Sequence, residues 1–162
     1  MLATVVLAAC NTSQRGYEPL QPIAYSHAVH AGQFKLDCLF CHYGAERSRH
    51  AGVPPAQVCM NCHSQVKSDS PEIQKISTAM ESGTPIAWTR VHRLPDHAYF
   101  DHSRHVASAG IRCQTCHGPV ETMTRVRQEG TMSMGFCLDC HRKSGASGNA
   151  PVPSTDCSVC HY

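Results

Sequence analysis

Hydrophobic positions along this 162-residue chain are sparse, and few of them are periodic. An apolar stretch, Leu2 to Ala9, ends at Cys10. Ser70-Pro71-Glu72 then reads as a helix start, with Ser as cap, Pro at the first turn and an acidic first turn. Ile73, Ile76 and Met80 follow at spacings of three and four, so they share one helical face, and Gly83 supplies the stop. Thr84 to Pro95, carrying Pro85, Trp88 and Pro95, is predicted to be extended. Gly145 to Pro153 is rich in Gly, Ser and Pro and reads as loop. The pattern predicts a mainly irregular chain with short α-helices and little sheet. No apolar run reaches the 18 or so residues of a membrane span, which excludes a multi-span membrane protein.

Composition sharpens the problem. Leu, Ile, Val and Phe make up 28 residues, 17% of the chain, below the level at which a globular domain fills its own core. Disorder would need a high net charge, and the formal charge is only +2. The same low charge leaves no basic patch for nucleic acid. Something other than aliphatic side chains must fill the interior.

The cysteines supply it. Ten of eleven form five Cys-x-x-Cys pairs, each followed at once by His: Cys38-Cys41-His42, Cys59-Cys62-His63, Cys113-Cys116-His117, Cys137-Cys140-His141 and Cys157-Cys160-His161. This spacing is that of covalent haem c attachment, with two thioethers to one porphyrin and the adjacent imidazole on the iron. Zinc ribbons do not require His after every pair. Redox-active Cys-x-x-Cys motifs do not recur five times in a fold, and disulfide frameworks seldom space cysteines so evenly. Five haems c on 162 residues would make the porphyrins the core.

The chain also repeats at an offset of 75. His27, His30, Cys38, Cys41 and His42 map onto His102, His105, Cys113, Cys116 and His117, and Tyr25 onto Phe100. The organisation read from this is a signal over residues 1–10, a first module with two haems over 11–63, a connector over 64–98, and a second module with three haems over 99–162. Cys10, the odd cysteine, follows Leu7-Ala8-Ala9 in the manner of a bacterial lipoprotein signal and is the candidate lipidation site. Haem c attachment happens outside the cytoplasm. The expected location is therefore the periplasmic or extracellular side of the bacterial membrane, with the chain held there by lipid.

Seven histidines remain: His27, His30, His50, His92, His97, His102 and His105. His27/His30 and His102/His105 are His-x-x-His pairs. Imidazoles three apart on a helix are neighbours that cannot easily share one iron, so each pair is expected to tie two haems together.

Tyr25-Ser26-His27-x-x-His30 with Cys38-x-x-Cys41-His42 resembles the class III multihaem cytochromes c, whose small members are periplasmic. That resemblance implies His27 as distal ligand for the haem at Cys38, His30 for Cys59, His102 for Cys113 and His105 for Cys137. In that family a residue shortly before the second motif serves the third haem. Here the stretch Thr131-Met132-Ser133-Met134 offers no His, so Met134 is the candidate for the haem at Cys157; copy one has Pro54-Pro55 there and no third haem. His50 and His92 are alternatives for this iron, and His97 a weaker one. A thioether would make it the haem of highest potential.

A closer resemblance covers about residues 23 to 143. Val53-Pro54-Pro55, Cys59-Met60-Asn61-Cys62-His63, Pro85-Ile86-Ala87-Trp88, Leu94-Pro95-Asp96, Tyr99-Phe100-Asp101-His102 and Met134-Gly135-Phe136-Cys137-Leu138-Asp139-Cys140-His141-Arg142 are similar to the pentahaem subunit of alternative complex III. This implies a haem relay beside an iron–sulfur subunit and a quinol-oxidising membrane subunit, passing electrons to a monohaem cytochrome c or an oxidase. A free periplasmic or extracellular shuttle and a haem filament subunit are the alternatives. A haem enzyme is disfavoured because spare ligands outnumber irons and no motif replaces its final His with Lys. Ten propionates against five ferric porphyrin units turn the chain's +2 into about −3, a field that attracts basic partners.

Overall fold

The computed structural model describes residues 14–145 and 153–162. The lipidation candidate Cys10 and most of the loop predicted over Gly145 to Pro153 lie outside them. Among the described residues there is no strand, and no helix is long and apolar enough to cross a membrane. The helices are short: α1 (Cys38–Cys41), α2 (Ala56–His63), α3 (Pro71–Ser82), α4 (Gln114–His117), α5 (Met134–Gly145) and α6 (Cys157–Cys160). Two single turns, Ala28–Gln33 and Arg104–Ser108, have the wide π form.

The connector helix α3 follows the sequence signals. Ser70 is its N-cap residue in extended conformation, Pro71 opens the first turn, and Gly83 ends it at φ 65°, where a side chain would be strained. Ile73 and Ile76 turn inward onto Ile23, with Ala56, Cys59, Met60, Ile86 and Trp88 packed around them. Met80, on the expected face, is 38% exposed because the cluster ends one turn earlier. The lone tryptophan thus lies in one apolar cluster with Cys59, the first cysteine of the second motif. The segment 84–95 forms no regular element, and Gln21 holds it by pairing its amide with both the N–H and the carbonyl of Thr89, each at 2.9 Å.

Buried apolar side chains among the described residues are Ile23, Ala45, Ile73, Ile76 and Met123. That is far less than a chain of this length normally packs. Hydrogen bonding shows what organises the rest, because the repeat in sequence is a repeat in backbone. Leu36 N–H donates to the His30 carbonyl and Ile111 N–H to that of His105; His42 N–H donates to Cys38 and His117 N–H to Cys113. All four bonds are related by the offset of 75.

The two copies also exchange bonds. Ala28 N–H donates to the Met123 carbonyl at 2.9 Å, and Ser103 N–H to the Ser48 carbonyl at 3.2 Å. Position 28 maps to 103 and 48 to 123, so these contacts are images of each other across a local two-fold. Gly32 lies so close to the Glu121 carbonyl that a Cβ there would collide with it. The His-x-x-His turn of each copy thereby docks on the loop after the first motif of the other.

Candidate functional site

Each Cys-x-x-Cys-His motif sits on one helical turn, which projects both thiols and the imidazole from neighbouring positions. Local caps set two of the turns. Asp37 accepts from Leu39 N–H at 2.7 Å at the start of α1, and Asp156 accepts from Ser158 N–H at 2.8 Å at the start of α6. None of the ten motif cysteines is paired in a disulfide.

The motif imidazoles are held by their Nδ1 atoms. His42 donates to the Gly52 carbonyl at 2.7 Å, His63 to Val66 at 2.8 Å, His141 to Ser154 at 2.7 Å and His161 to His97 at 2.7 Å. Such a bond fixes the tautomer and leaves Nε2 as the free donor atom. His117 departs from the set: its Nδ1 lies 3.1 Å from Nε2 of His92.

Opposite each motif imidazole stands a second one. His27 faces His42 at a centroid distance of 6.3 Å with planes 7° apart, and His102 faces His117 at the same 6.3 Å and 7°. His30 and His63 are 6.0 Å apart at 63°, and His105 and His141 6.1 Å apart at 34°. His97 and His161 are 5.6 Å apart at 28°. A metal–imidazole bond of about 2 Å, with roughly 1 Å more to the ring centre, puts two trans imidazoles about 6 Å apart on one metal. All five pairs have this spacing.

Electrostatics suit metal binding. Burial, with His42 and His30 adding to it, lowers His27 to about 4; burial, with His92, His102 and His42, lowers His117 to about 4. Both rings are neutral at pH 7, the form that ligates. Aromatic side chains brace the opposing rings. Tyr25 stacks on His30 at 4.4 Å and meets His27 edge-on at 4.8 Å, and Phe100 repeats this on His105 at 4.3 Å and His102 at 4.9 Å.

Residues 98–162 match the family model described as cytochrome c7 and related cytochrome c.

That stretch holds three of the five motifs and the His102/His105 pair. Over an alignment 161 positions long that covers 87% of this chain, the sequence is 29% identical to the menaquinone reductase multihaem cytochrome c subunit of Nitratidesulfovibrio vulgaris, of which 76% is covered. Both likenesses point to electron transfer through several haems c rather than to catalysis. The donor set fits that cofactor: facing imidazole pairs that would hold the iron, with two cysteines beside each motif imidazole that would attach the porphyrin. Haem c supplies one-electron chemistry when bound, and the chain supplies attachment, axial nitrogen and spacing.

The structure separates the histidines differently from the sequence expectation at the fifth motif. Met134 stands in the first turn of α5, 66% exposed, and it is His97 that faces His161. The reason is backbone pairing. Tyr99 N–H donates to the Cys160 carbonyl at 2.8 Å, which together with the His161–His97 bond lays segment 97–99 along the last motif. Tyr162 stacks on Tyr99 at 4.3 Å, and the Arg49 guanidinium covers both rings at 4.8 and 5.8 Å. His50 lies exposed in the loop after α1. His92 is held against His117, away from the fifth motif. A signal for His97 was present in the repeat: subtracting 75 gives Pro22, so the copy without a fifth motif also lacks the histidine.

Cysteines of different motifs influence one another. Burial raises the Cys38 thiol, and nearby Cys113 adds to the shift. Burial pushes the Cys41 thiol up, and adjacent Cys59 adds to the shift. Cys116 is raised by burial and by Cys140 and Cys137, and Cys137 by burial and by Cys160.

Proposed function

We propose that the chain binds five haems c and relays electrons along them as a subunit of a quinone-linked respiratory complex of the alternative complex III kind. The observation that carries this reading is the set of five imidazole pairs, each with one-iron spacing and each including the histidine of a Cys-x-x-Cys-His motif. In this reading the axial pairs are His27/His42, His30/His63, His102/His117, His105/His141 and His97/His161, with His97 rather than Met134 on the fifth iron. The relay does not follow chain order. Thiol neighbourhoods and the interlocked turns support the sequence Cys59, Cys38, Cys113, Cys137, Cys157, with the second and fifth haems at the ends and the two symmetry-related ones next to each other. Placement outside the cytoplasm with a lipid on Cys10, and partnership with iron–sulfur and quinone-site membrane subunits and a monohaem cytochrome c or oxidase, follow from the sequence resemblance. The similarity to a menaquinone reductase subunit supports a quinone-linked setting.

Intact-mass measurement of the native protein tests the count: five haem additions are expected, and fewer overturn the pentahaem reading. Purification from membranes in mild detergent tests the setting. Co-elution with an iron–sulfur subunit and a multi-span subunit is expected, and a chain that elutes alone with full haem content overturns the complex assignment.

A further inference from the structure

The sites at Cys38 and Cys113 repeat each other in ring spacing and docking, although Nδ1 of His102 donates to the Arg49 carbonyl at 2.7 Å while Nδ1 of His27 is buried without a partner. Their opposing rings share one distance and one plane angle, and their turns dock by matching bonds. They differ in what the motif imidazole leans on. His42 gives its Nδ1 proton to a backbone carbonyl, as do His63, His141 and His161, whereas Nδ1 of His117 lies 3.1 Å from Nε2 of the His92 side chain. The ring planes of His92 and His117 are 86° apart with centroids at 4.4 Å, the edge-on arrangement of one imidazole N–H aimed at the other ring's nitrogen. In the pentahaem reading Nε2 of His117 is the ligating atom, so the shared proton belongs to Nδ1 of His117 and Nε2 of His92 accepts.

His92 does not reach this position by chance of a mobile loop. Gln21 pins Thr89 through both backbone groups. Arg90 Nε donates to the His92 carbonyl at 3.1 Å, and Gln128, 1% exposed, accepts from Arg93 N–H at 3.4 Å while donating to Gly130 at 3.0 Å. Position 17, where the repeat would place a counterpart, is Tyr17. The asymmetry is therefore built by this chain, at the junction between its two halves.

We propose that His92 is a positioning residue that sets the electron affinity of the Cys113 site apart from its symmetry mate, by accepting the Nδ1 proton of His117. A bond at Nδ1 raises the basicity of the ligating nitrogen and stabilises the oxidised iron, so the acceptor's identity tunes potential. The proposal rests on the pentahaem reading above. It adds, on the motif side, to the difference between the two central sites and makes them unequal steps of the relay.

Two measurements on holoprotein test it, each on samples whose haem count has been checked by mass. In the fully reduced, diamagnetic protein with ¹⁵N-labelled histidine, an N–H···N bond transmits scalar coupling between two ring nitrogens, and N–H···O bonds cannot. One coupled His–His pair is expected, lost in His92→Gln. Five haems with no coupled pair overturn the proposal and leave the relay reading standing; fewer haems overturn the reading itself. In potentiometric titration, His92→Leu should move one of five midpoints to higher potential and leave four in place, while His92→Gln, which keeps a carbonyl acceptor, should shift it less. If His92→Leu lowers thermal stability but moves no midpoint, His92 is a spacer and the proposal fails.

Discussion

Removing the His97 side chain gives the sharpest test of the site geometry. His97 and His161 rings are 5.6 Å apart, slightly closer than the 6.0–6.3 Å of the other four pairs. A ring pair can open by a few tenths of an ångström to admit a metal, and segment 97–99 is held on the last motif by Tyr99 N–H to the Cys160 carbonyl and by the His161 ring to the His97 carbonyl. His97→Ala keeps both anchors, because they use main-chain atoms. On the proposed five-haem reading it deletes one sixth ligand and leaves four pairs untouched, so the expected magnitude is stoichiometric: one haem in five opens.

Carbon monoxide titration of the reduced protein reads this directly. Wild type, six-coordinate throughout, takes up almost none; His97→Ala should saturate at one equivalent per five haems, with a matching fraction of high-spin signal in the ferric state. Met134→Ala should behave as wild type, since Met134 is 66% exposed at the start of α5. If Met134→Ala opens the iron and His97→Ala does not, the assignment from ring spacing is wrong, and the loop around Met134 closes on the fifth haem. His97→Met adds a control, retaining a sixth ligand but raising the midpoint of that haem alone, as thioether replaces imidazole.

Three further outcomes follow from the packing. Ile76→Ala empties the centre of the Ile23–Ile73–Ile76 cluster, where Ile76 is 4% exposed, and should cost about 2–4 kcal/mol, read from thermal unfolding of the holoprotein by far-UV circular dichroism. Gly32→Ala drives a methyl into the Glu121 carbonyl and should cost about 1–3 kcal/mol, loosening the docking of the two copies; unchanged stability would mean the turn has room to shift. Trp88 shares its cluster with Cys59 and should be strongly quenched by the second haem, so bright, solvent-like emission from holoprotein would contradict the placement.

Local features were the most legible in the sequence. The spacing of Cys and His sufficed for the five motifs because attachment chemistry acts within five consecutive residues. The helix Pro71–Ser82 was readable from Ser70, Pro71 and Gly83 because caps act within one turn. The offset of 75 exposed the repeat, but not that the copies interlock: the bonds Ala28–Met123 and Ser103–Ser48 join backbone groups, which leave no trace in residue type. Met80 shows the same limit on a smaller scale. Its periodicity matched that of Ile73 and Ile76, yet the cluster stops before it.

The surroundings of His97 and His92 were not legible in the sequence, for a shared physical reason. Both lie in or beside the irregular segment before the second copy, where no 3.6-residue period says which way a side chain turns. Their roles are decided by main-chain pairing to distant partners: Tyr99 to Cys160 for His97, and Thr89 to Gln21 and Arg93 to Gln128 for His92. Gln21 and Gln128 look like ordinary surface residues in sequence, yet Gln128 is 1% exposed and fully hydrogen-bonded. Losing such a buried amide leaves backbone donors without partners, which is why polar ties of this kind are costly to break. In a chain with so little aliphatic core, these few side-chain-to-backbone ties do the positioning that packed helices do elsewhere. They decide which imidazole faces His161 and which one His117 leans on.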